Sequence, residues 1–157
     1  MTIYVECKTD AILVNALLGA TKTDIAHEKG KPGVCRRLQA GRNSTGMVDE
    51  DPNQAQPIYL EKLKVKRNLS HHGLKLLQDQ STGNQAVVLR PKLEDWILEA
   101  CLESGLKVSS YGLPQDPSRL HRDINISQGD FRRLVRDLKK RKSERLNTLR
   151  MLLKGEA

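Results

Sequence analysis

The sequence predicts an α/β fold with a largely parallel central sheet flanked by helices, followed by a basic helical extension at the C-terminal end. Three observations carry this. Strand-like and helix-like stretches alternate through the first fifty residues at the spacing of β-α-β units. The 157 residues, 38% of them hydrophobic, suffice for one core but not for two. Charge is unevenly divided: residues 1–118 hold 15 Lys and Arg against 14 Asp and Glu, whereas residues 119–157 hold 12 against 5. The expected plan is an α/β domain over residues 1–108 and a basic helical extension over 109–157, packed on the same domain.

Each element has a local reason. Thr2 to Glu6 is a short β-branched and aromatic run, read as a buried strand. From Asp10 to Leu18, Ile12, Leu13, Ala16 and Leu17 fall at helical spacing; Thr9 or Asp10 caps this helix and Gly19 stops it. Lys22 to His27 is a weak second strand. Lys29-Gly30-Lys31-Pro32-Gly33 reads as a turn, and Val34 to Ala40 as a second helix ending at Gly41. Ser44 to Val48 is a third strand that delivers Asp49-Glu50-Asp51 at its end, where Pro52 bars continuation. Ile58 to Lys66 fits a strand or a short helix. Gly73 to Gln78 and Gln85 to Leu89 read as a strand pair or as a strand plus loop. Arg90-Pro91 opens a helix whose apolar face is Leu93, Trp96, Ile97, Ala100 and Cys101, and Gly105 ends it. Ser109 to Pro117 reads as a turn-rich linker. Two basic helices follow, the first capped by Ser127 with Asp130 three residues on, the second from about Ser143 to Leu153.

Composition excludes several classes. There is no run of some 18 apolar residues, hence no transmembrane helix, and Met1 to Lys8 lacks the features of a signal peptide. Cys7, Cys35 and Cys101 are too few and scattered for a disulfide framework, so a cytoplasmic protein is expected. Aromatic residues are only 3%, against a protein that reads single strands mainly by base stacking. The formal net charge of +8, concentrated after residue 118, suggests an anionic partner, nucleic acid first; a solvated helix face has the same charge run.

The informative acids are few. Glu6 closes strand one, and Asp49 and Asp51 close strand three. Ligand sites of open α/β sheets form outside the carboxyl ends of the strands. If strands one and three are neighbours, three carboxylates converge and raise one another's pKa. A hard dication such as Mg²⁺ removes that cost and takes oxygen ligands. The i, i+2 spacing puts Asp49 and Asp51 on one side of an extended segment, with Glu50 pointing away. A solvated turn before proline has the same residues.

Residues 3–18, IYVECKTDAILVNALL, resemble the opening of a Toprim domain, the module shared by topoisomerases, bacterial primases and OLD-family nucleases. Cys7 stands where that family usually has Gly. Residues 44–51, STGMVDED, resemble its second motif, an apolar strand ending in Asp-x-Asp. HEKGKPGVCRRL between them, and VVLRPKLEDWIL at 87–98, resemble stretches of small stand-alone Toprim-like proteins, so the likeness spans residues 2–104. It implies a Toprim-like Rossmannoid sheet, with Glu6 as general acid or base, Asp49 and Asp51 as ligands of Mg²⁺ or Mn²⁺, and phosphodiester making or breaking. Glu94, at the start of the Trp96 helix, is a candidate further ligand; an acid there also suits the helix dipole without any function.

Lys8, Lys29, Lys31 and Arg36 lie near the expected site edge. Residues 29–33 would offer a phosphate cradle at a helix start, though not a Walker A loop, or simply a surface turn. Arg132, Arg136 and Lys140 recur on the first basic helix, opposite the stripe of Phe131, Leu134, Val135 and Leu138, and would touch phosphates without reading sequence, or touch a partner protein. His71-His72 has no partner at zinc spacing. Cys7 is a reactive thiol or a packing residue. The expectation is a Mg²⁺-dependent nuclease acting on DNA or RNA, or else a non-catalytic nucleic-acid-binding or regulatory module of the same fold. A larger ATPase or defence-system partner follows by analogy with the OLD family, and a homodimer is a further candidate assembly.

Overall fold

A computed structural model describes residues 1–19 and 23–156. Six strands, β1 (Thr2–Val5), β2 (Asp24–His27), β3 (Thr45–Asp49), β4 (Lys64–Leu69), β5 (Leu74–Gln78) and β6 (Gln85–Leu89), form one sheet in the order β2-β1-β3-β6-β5-β4. The first four in that order run parallel; β5 and β4 pair antiparallel at the far edge. Seven α-helices flank it among the described residues: α1 (Lys8–Leu18), α2 (Gly30–Ala40), α3 (Ile58–Lys62), α4 (Leu93–Ser104), α5 (Pro117–Ile126), α6 (Gln128–Lys140) and α7 (Glu144–Leu153). The chain is therefore α/β with a mostly parallel sheet.

The two faces of the sheet are covered unequally. Ile3, Val5, Met47, Val87, Leu89, Leu74 and Leu76 point to one side and join α1, α4, α5, α6 and α7 in the larger core, around the fully buried Trp96 and Phe131. Val48, Leu77, Ala86 and Val88 point to the other and meet only α2 and α3. This double burial explains the near-continuous apolar reading of β3 and β6. Gly46 of β3 sits where a Cβ would come within 2.7 Å of Val34, so glycine there lets α2 lie close on the sheet. No helix among the described residues is long and apolar enough to cross a membrane.

Several boundaries differ from the sequence reading. α1 starts two residues early, because the Asp10 carboxylate reaches back to the Cys7 N–H (3.2 Å). Residues 30–33, read as a turn, are the first turn of α2: Pro32 suits a first turn, whose N–H groups lack intrahelical partners anyway. Ile58 to Lys66 holds both α3 and the start of β4. Pro91 lies outside α4, after a cis Arg90–Pro91 bond, and Lys92 is the N-cap. The turn-rich linker ends at α5, which the sequence reading missed. Its signals are local: Asp116 accepts from the Arg119 N–H (3.0 Å) and Pro117 opens the first turn. Three helices, not two, thus finish the chain. Ser127 stands before α6 without a side-chain capping bond, being also the last cap of α5. Lys22, where the second strand was expected to begin, lies outside the described residues.

Candidate metal centre

β1 and β3 are direct neighbours, with Val5 opposite Met47, so their carboxyl ends open at one point. Glu6 follows β1, Asp49 ends β3, and Asp51 lies two residues on. One carboxylate oxygen from each can be taken such that all lie within 4.8 Å of one another. Among the described residues this is the only group of three or more His, Cys, Asp and Glu within such reach.

Short bonds fix the arrangement. Glu6 Oε2 accepts the Asp49 N–H at 2.6 Å, a bond between the ends of β1 and β3. Asp49 Oδ1 accepts the Leu93 N–H at 3.0 Å, from the first turn of α4, where a carboxylate is favoured. Asp51 has φ +45°, in the left-handed region that Asp tolerates better than most residues. Its N–H donates to Pro91 O (3.0 Å), and Gln56 Nε2 donates to Glu50 O (2.9 Å) and Asp51 O (3.1 Å). The chain after β3 is thereby pinned in the turn that places Asp51 beside Asp49. Glu50 points elsewhere, as its spacing implied, and pairs with Arg90 at 2.7 Å.

The electrostatics are those of crowded acids. Burial pushes the Asp49 carboxyl up to about 9, with Asp10, Glu6, Glu94 and Asp51 adding repulsion. Burial, then Glu6, pushes Asp10 up to about 7. Glu6 is raised by burial, against the lowering effect of the Asp49 N–H and of Lys31. Two lysines flank Asp51 at the outer limit of a salt bridge, Lys31 Nζ at 4.0 Å and Lys92 Nζ at 3.8 Å. A cleft of about 430 Å³ opens here, lined by Asp10, Asp49, Asp51, Lys92, Glu94 and His121 among others.

The other expected residues scatter. Glu94 is buried on the cleft wall but bound to His121 Nδ1, outside the three-acid group. Lys31 is buried, with Nζ on Glu50 O and Gln56 Oε1, both 3.0 Å, so it steadies the loop after β3. Lys8 and Lys29, at helix starts, and Arg36, midway along α2, are exposed and do not line the cleft. Nor do Arg132, Arg136 and Lys140, which lie on the exposed side of α6. Cys7 lines the cleft instead of packing behind the strand; burial, then Asp10, pushes its thiol up to about 12, so it is protonated and a poor nucleophile at neutral pH.

Sequence reasoning missed Asp10, Lys92 and His121 as parts of this site. Asp10 had a signal: it stands one helical turn after Glu6. His121 had one only through its helix, α5. Lys92 had none, because its position depends on the chain turning at Arg90–Pro91. The chain matches no family model, no curated protein and no solved structure.

Proposed function

We propose that this chain is a divalent-cation-dependent nuclease, with an acidic site of the Toprim type at the carboxyl ends of β1 and β3. The observation that carries the reading is the meeting of Glu6, Asp49 and Asp51. The donor set fits Mg²⁺ or Mn²⁺: hard carboxylate oxygens of Asp49 and Asp51, with the Glu6 carboxylate beside them and the Cys7 sulfur at the cleft held as a thiol. The raised pKa of Asp49 supports it further, because a dication relieves the repulsion that burial creates.

Asp49 and Asp51 would hold the cation, which when bound supplies charge stabilisation to a phosphoryl group in transfer. Glu6 would move the proton, since its second oxygen is left over once Oε2 accepts the Asp49 N–H. Lys92, exposed at the cleft and near Asp51, would hold a non-bridging phosphate oxygen. His121, oriented by Glu94, would stand at the same cleft, on the exposed side of α5.

The test is cleavage of plasmid, single-stranded DNA and RNA with Mg²⁺ or Mn²⁺, beside Glu6→Gln and Asp49→Asn. The proposal expects metal-dependent cutting that both variants lose. Cutting that survives both puts the chemistry elsewhere. Oligonucleotide binding without cleavage of any substrate makes the chain a binding module that keeps the acidic site.

A further inference from the structure

We infer that His121 is the general acid of this site, its Nε2 handing a proton to the sugar oxygen that leaves phosphorus. This deepens the nuclease reading and rests on it. His121 lines the same cleft of about 430 Å³ as Asp49, Asp51 and Lys92. Its Nδ1 is bonded to the Glu94 carboxylate. A carboxylate accepts, so Nδ1 donates, and Nε2 is the nitrogen left for a substrate. Among the described residues nothing bonds Nε2, and the side chain is half exposed.

The ring is held from behind. Glu94 is buried in the first turn of α4. Leu120 and Ile124, both fully buried, anchor α5 in the core, and Thr9 Oγ1 donates to Asn125 Oδ1 (3.2 Å), tying α5 to α1. A ring fixed at Nδ1 and along its backbone presents Nε2 at one place, which proton transfer requires. The chemistry also needs such a donor. A water oxygen bonds to phosphorus while the P–O ester bond breaks. The electron pair of that bond goes to the sugar oxygen, which takes the Nε2 proton of the imidazolium. The water's proton goes to Glu6, and solvent carries a proton from Glu6 back to His121 to close the cycle.

Other assignments fit less well. His121 forms no close group of three with any two of the acids, so it does not share an ion with Glu6, Asp49 and Asp51. As a tie between α4 and α5, an apolar pair would serve equally. Burial already raises the Asp49, Asp10 and Glu6 carboxyls, and Glu94 adds repulsion at each. Of the other proton carriers at the cleft, Asp10 is buried and bonded to the Cys7 N–H (3.2 Å) and thiol (3.5 Å), and Lys92 faces Asp51. His121 is the one with a ring nitrogen turned to neither.

The experiment follows single-turnover cleavage of a short strand, as DNA and as RNA, with Mn²⁺. The products show which bridging oxygen leaves, and a second strand carries sulfur in its place, because a thiolate departs from phosphorus without a proton. The variant is His121→Asn, whose amide keeps a donor where Nδ1 stands but has no Nε2; circular dichroism confirms that it is folded. The inference expects His121→Asn to slow the oxygen linkage by about 100-fold or more and the sulfur linkage by less than about threefold. Glu94→Gln should act in the same sense by a smaller factor, as a positioning residue. Equal slowing of both linkages makes His121 a structural tie and overturns the inference, as does unchanged cleavage of the oxygen linkage. Asp49→Asn keeps the two ideas apart, since it should slow both linkages alike. Cleavage that Asp49→Asn abolishes and His121→Asn leaves intact refutes the proton donor alone, whereas a wild type that cuts neither strand refutes the nuclease reading and the donor with it.

Discussion

The two ends of the central sheet treat their acids in opposite ways. At the amino end, in the turn between β5 and β6, Asp79 accepts from the Ser81 N–H (3.0 Å), the Ser81 hydroxyl (2.7 Å) and the Tyr59 hydroxyl (3.0 Å). The Ser81 hydroxyl above all holds its carboxyl at about 2. At the carboxyl end, Asp49 has one backbone donor and four acidic neighbours, and is pushed up to about 9. Both are Asp at strand ends beside a turn. Asp79 has been given the donors a carboxylate needs, so its charge is used to build the turn. Asp49 has been left short of donors and of cations, a cost to the fold that a bound cation would relieve.

The largest effects should come from removing the crowded charge. Asp49→Asn keeps the acceptor for Leu93 N–H but not the negative charge. It should reduce cleavage by about 100-fold or more, while raising the melting temperature in EDTA by several degrees. Calorimetry and a cleavage assay on the same preparation check both halves, and a lower melting temperature in EDTA would end the contrast between the two ends.

Next comes the cation. Millimolar Mg²⁺ or Mn²⁺ should raise the melting temperature of the wild type by a few degrees, through binding to the folded state alone. The shift should vanish in Asp49→Asn and persist in Asp79→Asn. Thermal shift with and without EDTA reads it directly.

The pH dependence should be smaller in the working range and opposite in sign at the two ends. Raised carboxyls at Asp49 and Asp10 favour the protonated folded state, so their stabilising effect is complete below the ordinary carboxylate range. It is lost as pH rises toward about 9 for Asp49 and about 7 for Asp10. Stability of the metal-free protein should therefore decline between about pH 4 and pH 9, and the decline should flatten in Asp49→Asn. The lowered carboxyl of Asp79 does the reverse: its contribution is complete above the ordinary range and is lost as pH falls toward about 2. Urea melts at stepped pH separate the two limbs.

The smallest effect belongs to Asp79→Asn at neutral pH, a fall of about 1–3 °C in melting temperature, because the turn is exposed and Asn replaces part of its bonding. Cleavage should not change, and a large loss of cleavage there would erase the distinction between the two acids.

Much of this was legible in the residues themselves. The first three strands and two helices, the glycine stops and the apolar stripe of α4 were readable because periodicity and turn chemistry are local. So were Glu6 and the Asp49–Asp51 pair, since acids at strand ends stand out from an apolar background. What escaped was of another kind. Residues 29–33 look like a turn by composition, yet contact with β3 and the loop after it holds them in α2. α5 was hidden by the Pro and Ser that surround it, although its Asp116-Pro117 start was a usable signal. His121, Lys92 and Asp10 join the site only because α1, α4 and α5 converge on one end of the sheet.

The sequence by itself determined the α/β class, the basic character of the C-terminal helices and the identity of the three central acids, because spacing, propensity and charge are properties of neighbours along the chain. Only the tertiary structure decided that β1 and β3 lie side by side, which acids keep their partners, and that Lys31 and Lys92 come to flank Asp51. The reason is physical: a carboxylate's pKa and a lysine's freedom depend on what stands within a few ångströms, and strand order, not sequence distance, sets that neighbourhood.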